Sequence, residues 1–485
     1  MINNKRRKNL ILAIIVACFG LVYSSISLVN HYNFRTYAWD LGINNNAIYD
    51  YAHFRWNDCM LMQPQFDNVL SDHFSLLPIL VSPFYWIFGS YTMLLFQIAA
   101  ILFGGIGIYK YFHKKTSDFN LSVIAAIHFY SVWGIYSALG FDYHDNVIAA
   151  MLVPWLFYAF ENRHWKYSIL LFLLICISKE NMALWAIFIA VTLFLLNYKS
   201  PDQRKKSLYL GIFALCYFVL VVKVLIPSMA NDGREYLHFH YKALGENFRE
   251  AIKTIITRPQ YVFSLFFENN TGWNEANNIK SELHFFVLLS GGYALFYKPQ
   301  YIPMLLPIYA QKLFNDDIGK WGLNYQYSIE MVPILTLSLF TVLNEWNKKR
   351  IFLGYLIPCL ITIGATISSL DHRVSKWYNA EQIQFYKKDH YVTPYNVKKV
   401  QAVLKEIPKN APVSATNGLV PHLSFRDYIY QFPVINNAEY IVILKSGNIY
   451  PMNEKEFEDK LNELNSSKEW VKVKEDENIV LFKHQ

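Results

Sequence analysis

Long apolar runs dominate the chain up to about residue 370. Runs of membrane-spanning length occupy residues 9–30, 91–112, 119–138, 146–160, 206–227, 327–343 and 351–370. About 20 apolar residues cross a bilayer as a helix, so these runs predict transmembrane helices. The shorter runs require kinks, local thinning of the bilayer or burial among other helices.

Two longer apolar stretches are interrupted by charge. Residues 167–198 carry only Lys179 and Glu180, at their centre. At about 1.5 Å per residue this stretch is too long for one helix, so we predict two short helices that meet at the charged pair. Residues 283–314 break in the same way at Lys298, which a proline follows.

The first apolar run and the stretch 76–88 each need a choice between two structures. The first run follows the basic cluster 5–8, as a signal peptide does, but it reaches about 20 residues without a small-residue cleavage site, which favours a retained membrane helix. The stretch 76–88 is short and contains two prolines, so it predicts an interfacial or re-entrant element. With these choices the chain has about eleven transmembrane helices.

Beyond residue 371 charges become frequent and long apolar runs stop. Four segments predict an amphipathic helix, a buried strand, a second helix and a hairpin, at 395–406, 439–445, 454–464 and 470–483. Alternating helices and strands are typical of a small α/β domain. The predicted fold is therefore an all-α polytopic membrane module over residues 1–370 and a small soluble α/β domain over 371–485.

Composition and charge agree with a membrane protein. Of the 485 residues 53% are hydrophobic and 17% charged, against about 25% charged in a typical soluble protein. The net charge of +8 comes largely from clusters between the apolar runs, at 5–8, 114–115, 163–166, 204–206 and 348–350. No nucleic-acid-binding motif accompanies them, which excludes a nucleic-acid partner. The five cysteines show no paired spacing, so neither a disulfide framework nor a cysteine metal site is indicated.

The basic clusters also predict the orientation. A cytoplasmic N-terminus places every cluster on the cytoplasmic side, as the positive-inside rule requires. The opposite face then receives the large loops 31–90 and 228–282, the short segments 139–145 and 315–326, and the domain 371–485. We expect a multi-pass protein of the cytoplasmic (inner) membrane whose function lies on this extracytoplasmic face, because loops carry most binding and catalytic residues.

Ionisable residues recur on this face beside the membrane helices. They are Asp40, Asp72, His73, Asp142, His144, Asp145, Lys179 and Glu180. Charged groups near hydrocarbon cost several kcal/mol unless they are paired or hydrated, which favours a functional role.

Structural roles compete with functional ones at several of these positions. Asp142 or Asp145 also suits a helix N-terminus, where an acid offsets orphan N–H groups. Lys179 and Glu180 are also compatible with an ion pair that joins a helical hairpin. The loop around Arg234 is either merely solvated or a phosphate-binding element.

Carboxylates, histidines and cations at the rim of a hydrophobic bundle fit glycosyl transfer from a polyprenyl-phosphate sugar. The acceptor hydroxyl needs a general base, and the departing phosphate needs a cation or a metal. The lipid tail needs a groove among helices. The charges of a transporter look similar, so this pattern alone does not separate the two functions.

Several short motifs occur in a fixed order along the chain. They are Asp40-Leu-Gly with Ala47-Ile-Tyr, Ser71-Asp72-His73-Phe-Ser, Gly140-Phe-Asp-Tyr-His-Asp145, Ser178-Lys179-Glu180-Asn181, Asn324-Tyr-Gln-Tyr with Pro333, and Val413-Ser-Ala-Thr with Pro421-His-Leu-Ser-Phe-Arg426 and Tyr430-Gln-Phe-Pro433. Over about residues 35–445 the set resembles the domain-of-unknown-function family 2079 of bacterial and archaeal membrane proteins.

This family looks like a member of the GT-C clan of multi-spanning glycosyltransferases. The resemblance implies a lipid-phosphate sugar donor and a reaction on the extracytoplasmic face. In that clan an Asp in the first outer loop is the usual catalytic or metal-binding acid, and Asp40 matches by position. The acid often found beside it is absent, because Leu41 follows Asp40. Asp72 or Asp142 would then supply that role.

The sequence therefore predicts a GT-C-like glycosyltransferase with a polyprenyl-phosphate sugar donor and an envelope glycan, lipid or protein as acceptor. Asp40 is the expected general base, or the metal ligand if a divalent metal takes part. The expected site residues are the catalytic set Asp40, Asp72, His73, Asp142, His144 and Asp145, the phosphate-binding set Lys179, Glu180 and Arg234, with Glu180 orienting Lys179, and His422 and Arg426 of an accessory domain. The rival hypotheses are a transporter or lipid-handling protein and a structural partner in an envelope complex.

Overall fold

The computed structural model describes residues 2–62, 67–231 and 239–485. We number its helices of six residues or more along the chain. They are α1 Ile2–Tyr32, α2 Ile43–Ala52, α3 Thr92–Thr116, α4 Phe119–Ser131, α5 Trp133–Leu139, α6 Asp145–Glu161, α7 Trp165–Ser178, α8 Glu180–Leu196, α9 Pro201–Leu220, α10 Phe248–Thr257, α11 Pro259–Ser264, α12 Ile279–Val287, α13 Ile302–Leu313, α14 Met331–Trp346, α15 Phe352–Asp371, α16 Val397–Leu404 and α17 Glu454–Ser466. The strands are β1 Val413–Ala415, β2 Ile429–Gln431, β3 Tyr440–Leu444, β4 Trp470–Glu475 and β5 Ile479–His484.

Four helical segments in the described part of the chain are long and apolar enough to cross a membrane. They are Lys5–Tyr32, Leu77–Thr116, Pro201–Met229 and Phe352–Asp371. Helices α4 and α5, which are bent by 43°, make a fifth if they form one broken span. The apolar helices α7, α8 and α14 are shorter than a full span and would need thinning or burial. The predicted number of eleven is therefore not confirmed.

The stretch 76–88 does not form a separate span. It folds into short helical turns, Leu77–Val81, Ser82–Phe84 and Tyr85–Phe88, which lead into α3. A proline stands in the first turn of the first two, where its missing N–H costs no hydrogen bond. Gly89 ends the last turn at a φ of 54°, a conformation that favours glycine.

The two interrupted stretches behave differently. Helices α7 and α8 meet at Lys179, whose backbone is extended, as the sequence predicts. The stretch 283–314 breaks at Lys298 as predicted, and it also breaks earlier, at Ser290 and Gly291. A Cβ at Gly291 would lie 2.8 Å from the Leu339 side chain, so the close approach of α14 explains a break that the apolar pattern does not show.

The C-terminal part contains a five-stranded mixed sheet in the order β2-β1-β3-β5-β4. Strand β1 runs parallel to β2 and β3, while β5 is antiparallel to β3 and β4. The predicted helices, strand and hairpin of this part correspond to α16, β3, α17 and β4–β5. Strands β1 and β2, each three residues long, were not predicted.

The sheet packs between two hydrophobic layers. One face contacts α16 and, through Phe34 and Leu61, the loop that follows α1. The other face contacts α17 through Phe457 and Leu464. Gly418 lies against the loop so closely that a Cβ there would be 2.3 Å from the carbonyl oxygen of Phe34. The C-terminal domain is thus docked directly on the loop that carries Asp40.

Candidate functional site

Asp40 lies in a π-helical turn, Ala38–Gly42, just after α1. Such turns are rare and often occur at functional sites. Two distant segments hold this turn through its backbone: the N–H of Tyr37 donates to Asp142 Oδ2 at 2.7 Å, and the N–H of Ala38 donates to Asn417 Oδ1 at 2.8 Å. The Asp40 carboxylate is not needed for these contacts, so it is available for chemistry.

The loop between α5 and α6 brings His144 to Asp40. Gln97 of α3 fixes this loop, because its Nε2 donates to the carbonyl of Asp142 at 2.8 Å and its Oε1 accepts from the N–H of His144 at 2.9 Å. His144 Nε2 then lies 3.1 Å from Asp40 Oδ1. The Asp40 side chain is 27% exposed and that of His144 10%, so the pair is reachable from solvent.

Asp142 is a positioning residue. Its side chain is buried and accepts the N–H groups of Tyr37 and Leu41, the latter at 3.4 Å. Burial raises the pKa of Asp142 well above its usual value, and the nearby charge of Asp40 raises it further, while the two N–H donors oppose the rise. This buried carboxyl caps the turn of Asp40 rather than a helix of its own.

Asp145 stands at the first position of α6. The Tyr143 hydroxyl donates to its carboxylate at 2.7 Å. An acid in the first turn of a helix is favoured by the orphan N–H groups there, and no side-chain cap bond is formed at this terminus. The placement of Asp145 therefore fits the structural alternative weighed for it.

Aromatic rings line the other side of the Asp40–His144 pair. Phe141 stacks on His144 at a centroid distance of 5.3 Å, and Tyr325 packs against Phe141 at 4.5 Å. Burial raises the pKa values of Tyr325 and Tyr327, and the charge of Asp40 contributes to both increases. Asp40 thus lies in the surroundings of two tyrosines to which the sequence assigned no role.

Two cations approach the same space. Burial lowers the pKa of Lys320, the charge of Lys179 lowers it further, and Asp317 opposes both effects. The Lys320 ammonium lies 5.2 Å from the centre of the Tyr327 ring. Among the described residues, neither lysine ammonium forms a hydrogen bond or an ion pair. Two partly buried cations that repel each other are suited to an anion, because an anion would relieve the repulsion.

Asp72, His73 and Glu180 form a second cluster. His73 Nδ1 lies 3.0 Å from Glu180 Oε1, and the N–H of Phe74 donates to Glu180 Oε2 at 3.1 Å. Asp72 Oδ2 lies 3.8 Å from His73 Nε2. Glu180 thus contacts the 73–74 segment, and its expected role in orienting Lys179 stays a prediction.

The predicted accessory residues serve the domain interface. His422 donates from Nε2 to the carbonyl of His31 at 3.0 Å and stacks on the His31 ring at 4.0 Å. Arg426 is buried and donates to the carbonyls of Leu423 and Ala411, both at 2.7 Å. Both side chains therefore hold the domain together and against α1.

Two predicted features find no placement in the structure. Arg234 lies outside the described residues. Within residues 2–62, 67–231 and 239–485, no group of three or more His, Cys, Asp and Glu side chains is arranged to hold a metal ion. Among the described side chains Asp40 and His144 provide two donors, which is fewer than a complete protein metal site needs.

The family comparison decides what kind of protein this is. A family model described as "Predicted membrane protein (DUF2079)" matches residues 30–481. The chain belongs to this family. For the DUF2079 protein, membership agrees with the long apolar helices of the structure and establishes a membrane protein. No curated protein sequence matches the chain.

Solved structures similar to the DUF2079 protein include a mycobacterial enzyme. A structure of the arabinofuranosyltransferase AftD from Mycobacteria aligns over 98% of this chain at 12% identity and a TM-score of 0.44. A mutant of the same enzyme aligns over 97% at 13% identity and a TM-score of 0.46. The chain covers 40% and 41% of the two AftD chains, about two fifths of that protein's length. At these TM-scores the likeness does not establish a shared fold.

Sequence reasoning missed three residues of the DUF2079 site. Gln97 lies inside an apolar run, and a single amide among hydrophobic residues is the feature of the sequence that could have pointed to a buried hydrogen-bonding role. Lys320 precedes the Asn324-Tyr-Gln-Tyr motif in a segment already predicted to face outwards. Asn417 comes from the C-terminal domain, and no local pattern relates it to a turn some 380 residues earlier.

Proposed function

We propose that this DUF2079 protein is a membrane glycosyltransferase that takes a sugar from a polyprenyl-phosphate donor. The observation that carries the proposal is the Asp40–His144 pair, 3.1 Å apart, together with Lys179 and Lys320, whose ammonium groups form no hydrogen bond or ion pair among the described residues. A sugar-phosphate donor needs a base near the acceptor hydroxyl and positive charge near the leaving phosphate. This arrangement of acid and cations supplies both.

In this mechanism Asp40 is the general base. His144 donates from Nε2 to Asp40 Oδ1, which holds the carboxylate and leaves Oδ2 for the acceptor hydroxyl. The acceptor oxygen attacks the anomeric carbon while its proton passes to Asp40. The bond between that carbon and the phosphate oxygen breaks, and its electrons leave with the polyprenyl phosphate. Lys179 and Lys320 stabilise the negative charge that develops there.

The aromatic residues give the sugar a surface. Phe141 and Tyr325 lie beside His144 with their rings 4.5 Å apart, and sugar rings pack their C–H faces against aromatic rings. The proposed acceptor is an envelope glycan, lipid or protein, and it approaches from the side of the C-terminal domain, whose Asn417 already contacts the Asp40 turn.

The proposal includes an orientation in the membrane. The N-terminus lies in the cytoplasm, the Asp40 site and the C-terminal domain lie outside the cytoplasmic membrane, and the short helices α7, α8 and α14 are additional spans. Cysteine labelling of residue 380 in intact cells tests this arrangement: reaction with an impermeant reagent supports it. Labelling only after permeabilisation would place the domain in the cytoplasm and overturn the map.

The central test is Asp40→Asn. Asparagine keeps the size of the side chain but cannot accept the proton, so we expect transfer to fall by roughly 10² to 10⁴ while expression and folding stay near wild type. The assay follows loss of labelled sugar from polyprenyl-phosphate donors in membranes. Asp427→Asn, which changes an exposed carboxylate paired with Arg55, is the matched control and should retain activity. Full activity of Asp40→Asn would refute the role of Asp40 and favour the transporter hypothesis.

A further inference from the structure

Helix α10 carries an apolar stripe that faces away from the protein. Phe248, Ile252, Ile255 and Ile256 are spaced by four, three and one residues, so they share one helix face. They are 68%, 43%, 45% and 72% exposed. Ala251, at the edge of this face, is buried and marks where the helix contacts the rest of the chain. Soluble proteins rarely expose a contiguous apolar patch of this kind to water.

The apolar surface continues beyond α10. Four aromatic side chains of the following segment are also strongly exposed, Tyr261 at 40%, Phe263 at 65%, Phe267 at 52% and Trp273 at 62%. Aromatic side chains of this kind are enriched where membranes meet water. We call the exposed apolar surface that these side chains of residues 248–273 provide the apolar strip.

The apolar strip is anchored to helices of the membrane module. Lys280 Nζ donates to the carbonyl of Leu265 at 2.6 Å, and His284 Nε2 donates to the carbonyl of Phe266 at 2.9 Å. The Phe266 ring packs on Phe314 at 4.8 Å. Lys280 and His284 belong to α12 and Phe314 follows α13, so these partners lie near the two ends of the apolar stretch 283–314. The strip is therefore held at the level where these helices leave the apolar region.

The strip lies on the same side of the molecule as the Asp40 site. The N–H of Lys242, just before α10, donates to Asp316 at 3.0 Å, four residues before Lys320. At the start of the same loop, the N–H of Asn231 donates to Asp67 of the first outer loop at 2.8 Å. Two points of the loop ahead of α10 are thus tied to the segments that surround the site.

Basic residues flank the apolar face. Arg249, Lys253 and Arg258 are exposed, and Glu250 is the one acid of α10. Helices with an apolar face and Lys or Arg on the polar face lie in membrane interfaces, where the basic groups contact anionic headgroups. Such residues are attracted to anionic lipid surfaces.

We propose that the apolar strip is an interfacial membrane element. Its stripe is inserted at the boundary between headgroups and acyl chains, in the leaflet on the side of the Asp40 site, and Arg249, Lys253 and Arg258 contact anionic phospholipid headgroups. The observations do not involve the proposed reaction, so this inference stands or falls independently of it.

Spin labels on two faces of α10 test the proposal. The full chain is reconstituted in nanodiscs of phosphatidylglycerol and phosphatidylcholine, with the exposed Cys18 and Cys216 replaced by serine. The label is attached at Ile256→Cys on the apolar face or at Thr257→Cys on the polar face. We expect the first label to collide with oxygen and to exclude a water-soluble nickel complex, and the second to show the reverse.

The alternative outcomes are distinct. If both labels are open to the nickel complex, the stripe lies in water and the proposal is wrong. If the label at 256 is shielded from both reagents, a second copy or another protein covers the stripe, which also overturns it. In the membrane-bound case, Arg249→Gln with Lys253→Gln should reduce the depth of the label in anionic nanodiscs and leave it unchanged in purely zwitterionic ones. If the double variant leaves the depth of the label unchanged in anionic nanodiscs as well, the proposed headgroup contacts are refuted.

Discussion

Replacing Gly418 by alanine should loosen the C-terminal domain from the loop that carries Asp40. A Cβ at this position would lie 2.3 Å from the carbonyl oxygen of Phe34, where ordinary contacts begin at 3.4 Å. The two backbones must therefore separate by about 1 Å, because neither partner is a flexible side-chain end. The neighbouring bond from Ala38 N–H to Asn417, 2.8 Å long, would stretch beyond hydrogen-bonding range.

The magnitude follows from these two effects. Forced separation in a packed interface costs about 1 to 3 kcal/mol, and a lost hydrogen bond costs about 1 kcal/mol. We therefore expect Gly418→Ala to weaken docking by roughly 2 to 4 kcal/mol. Because Asn417 holds the Asp40 turn, any activity that depends on Asp40 should fall as well.

Two measurements check the effect of Gly418→Ala. Thermal unfolding in detergent should occur at a lower temperature than in wild type, and trypsin should cut the linker 372–396, which contains exposed Lys376 and Lys388, faster. Gly364→Ala is the control, because no atom lies within 4 Å of a Cβ at that position. If Gly418→Ala matches wild type in both measurements, the interface accommodates the added methyl group without loss of docking free energy, and the prediction is wrong.

Three further outcomes test other parts of the structure. Burial lowers the pKa of His422 from 6.5 to about 4, so on acidification the unfolded chain binds a proton before the folded chain does. The contribution of His422 to stability should therefore be complete above pH 6.5 and fall towards about pH 4, as followed by thermal unfolding. The fall should be smaller in His422→Gln. Lys320→Gln should raise the KM for the lipid-phosphate donor by roughly tenfold without changing expression, and an unchanged KM would exclude it from the phosphate site. Glu180→Ala leaves the N–H of Phe74 without its acceptor and should reduce the free energy of unfolding by about 1 to 3 kcal/mol. The midpoint of thermal unfolding should fall accordingly, and an unchanged midpoint would contradict the buried role of Glu180.

The positions of most helices could be predicted from the sequence, whereas the contacts between distant segments could not. Apolar runs report removal from water, whether into lipid or into the protein core, so the break at Lys179 and most helix positions could be predicted. Strands β1 and β2 have only three residues each and carry no repeat for a pattern to reveal. The second break near Gly291 depends on the approach of Leu339, which belongs to another helix.

The candidate site shows the same division. The motif residues Asp40, Asp142 and His144 were identified, and the structure brings them together across about 100 residues of sequence. Their roles were not readable, because Asp142 acts through the backbone of another segment. Glu180 was assigned to its neighbour Lys179, yet its described partner His73 lies 107 positions away.

The double support of the Asp40 turn has a consequence for the making of the protein. One support, Asp142, is synthesised about 100 residues after the turn, whereas the other, Asn417, is synthesised about 380 residues after it. A nascent chain whose early helices have already entered the bilayer still lacks the second support, so its acid is not yet fixed in place. Synthesis of the C-terminal domain is thus required before Asp40 is fixed, and chains truncated before residue 417 should accumulate in the membrane as inert products.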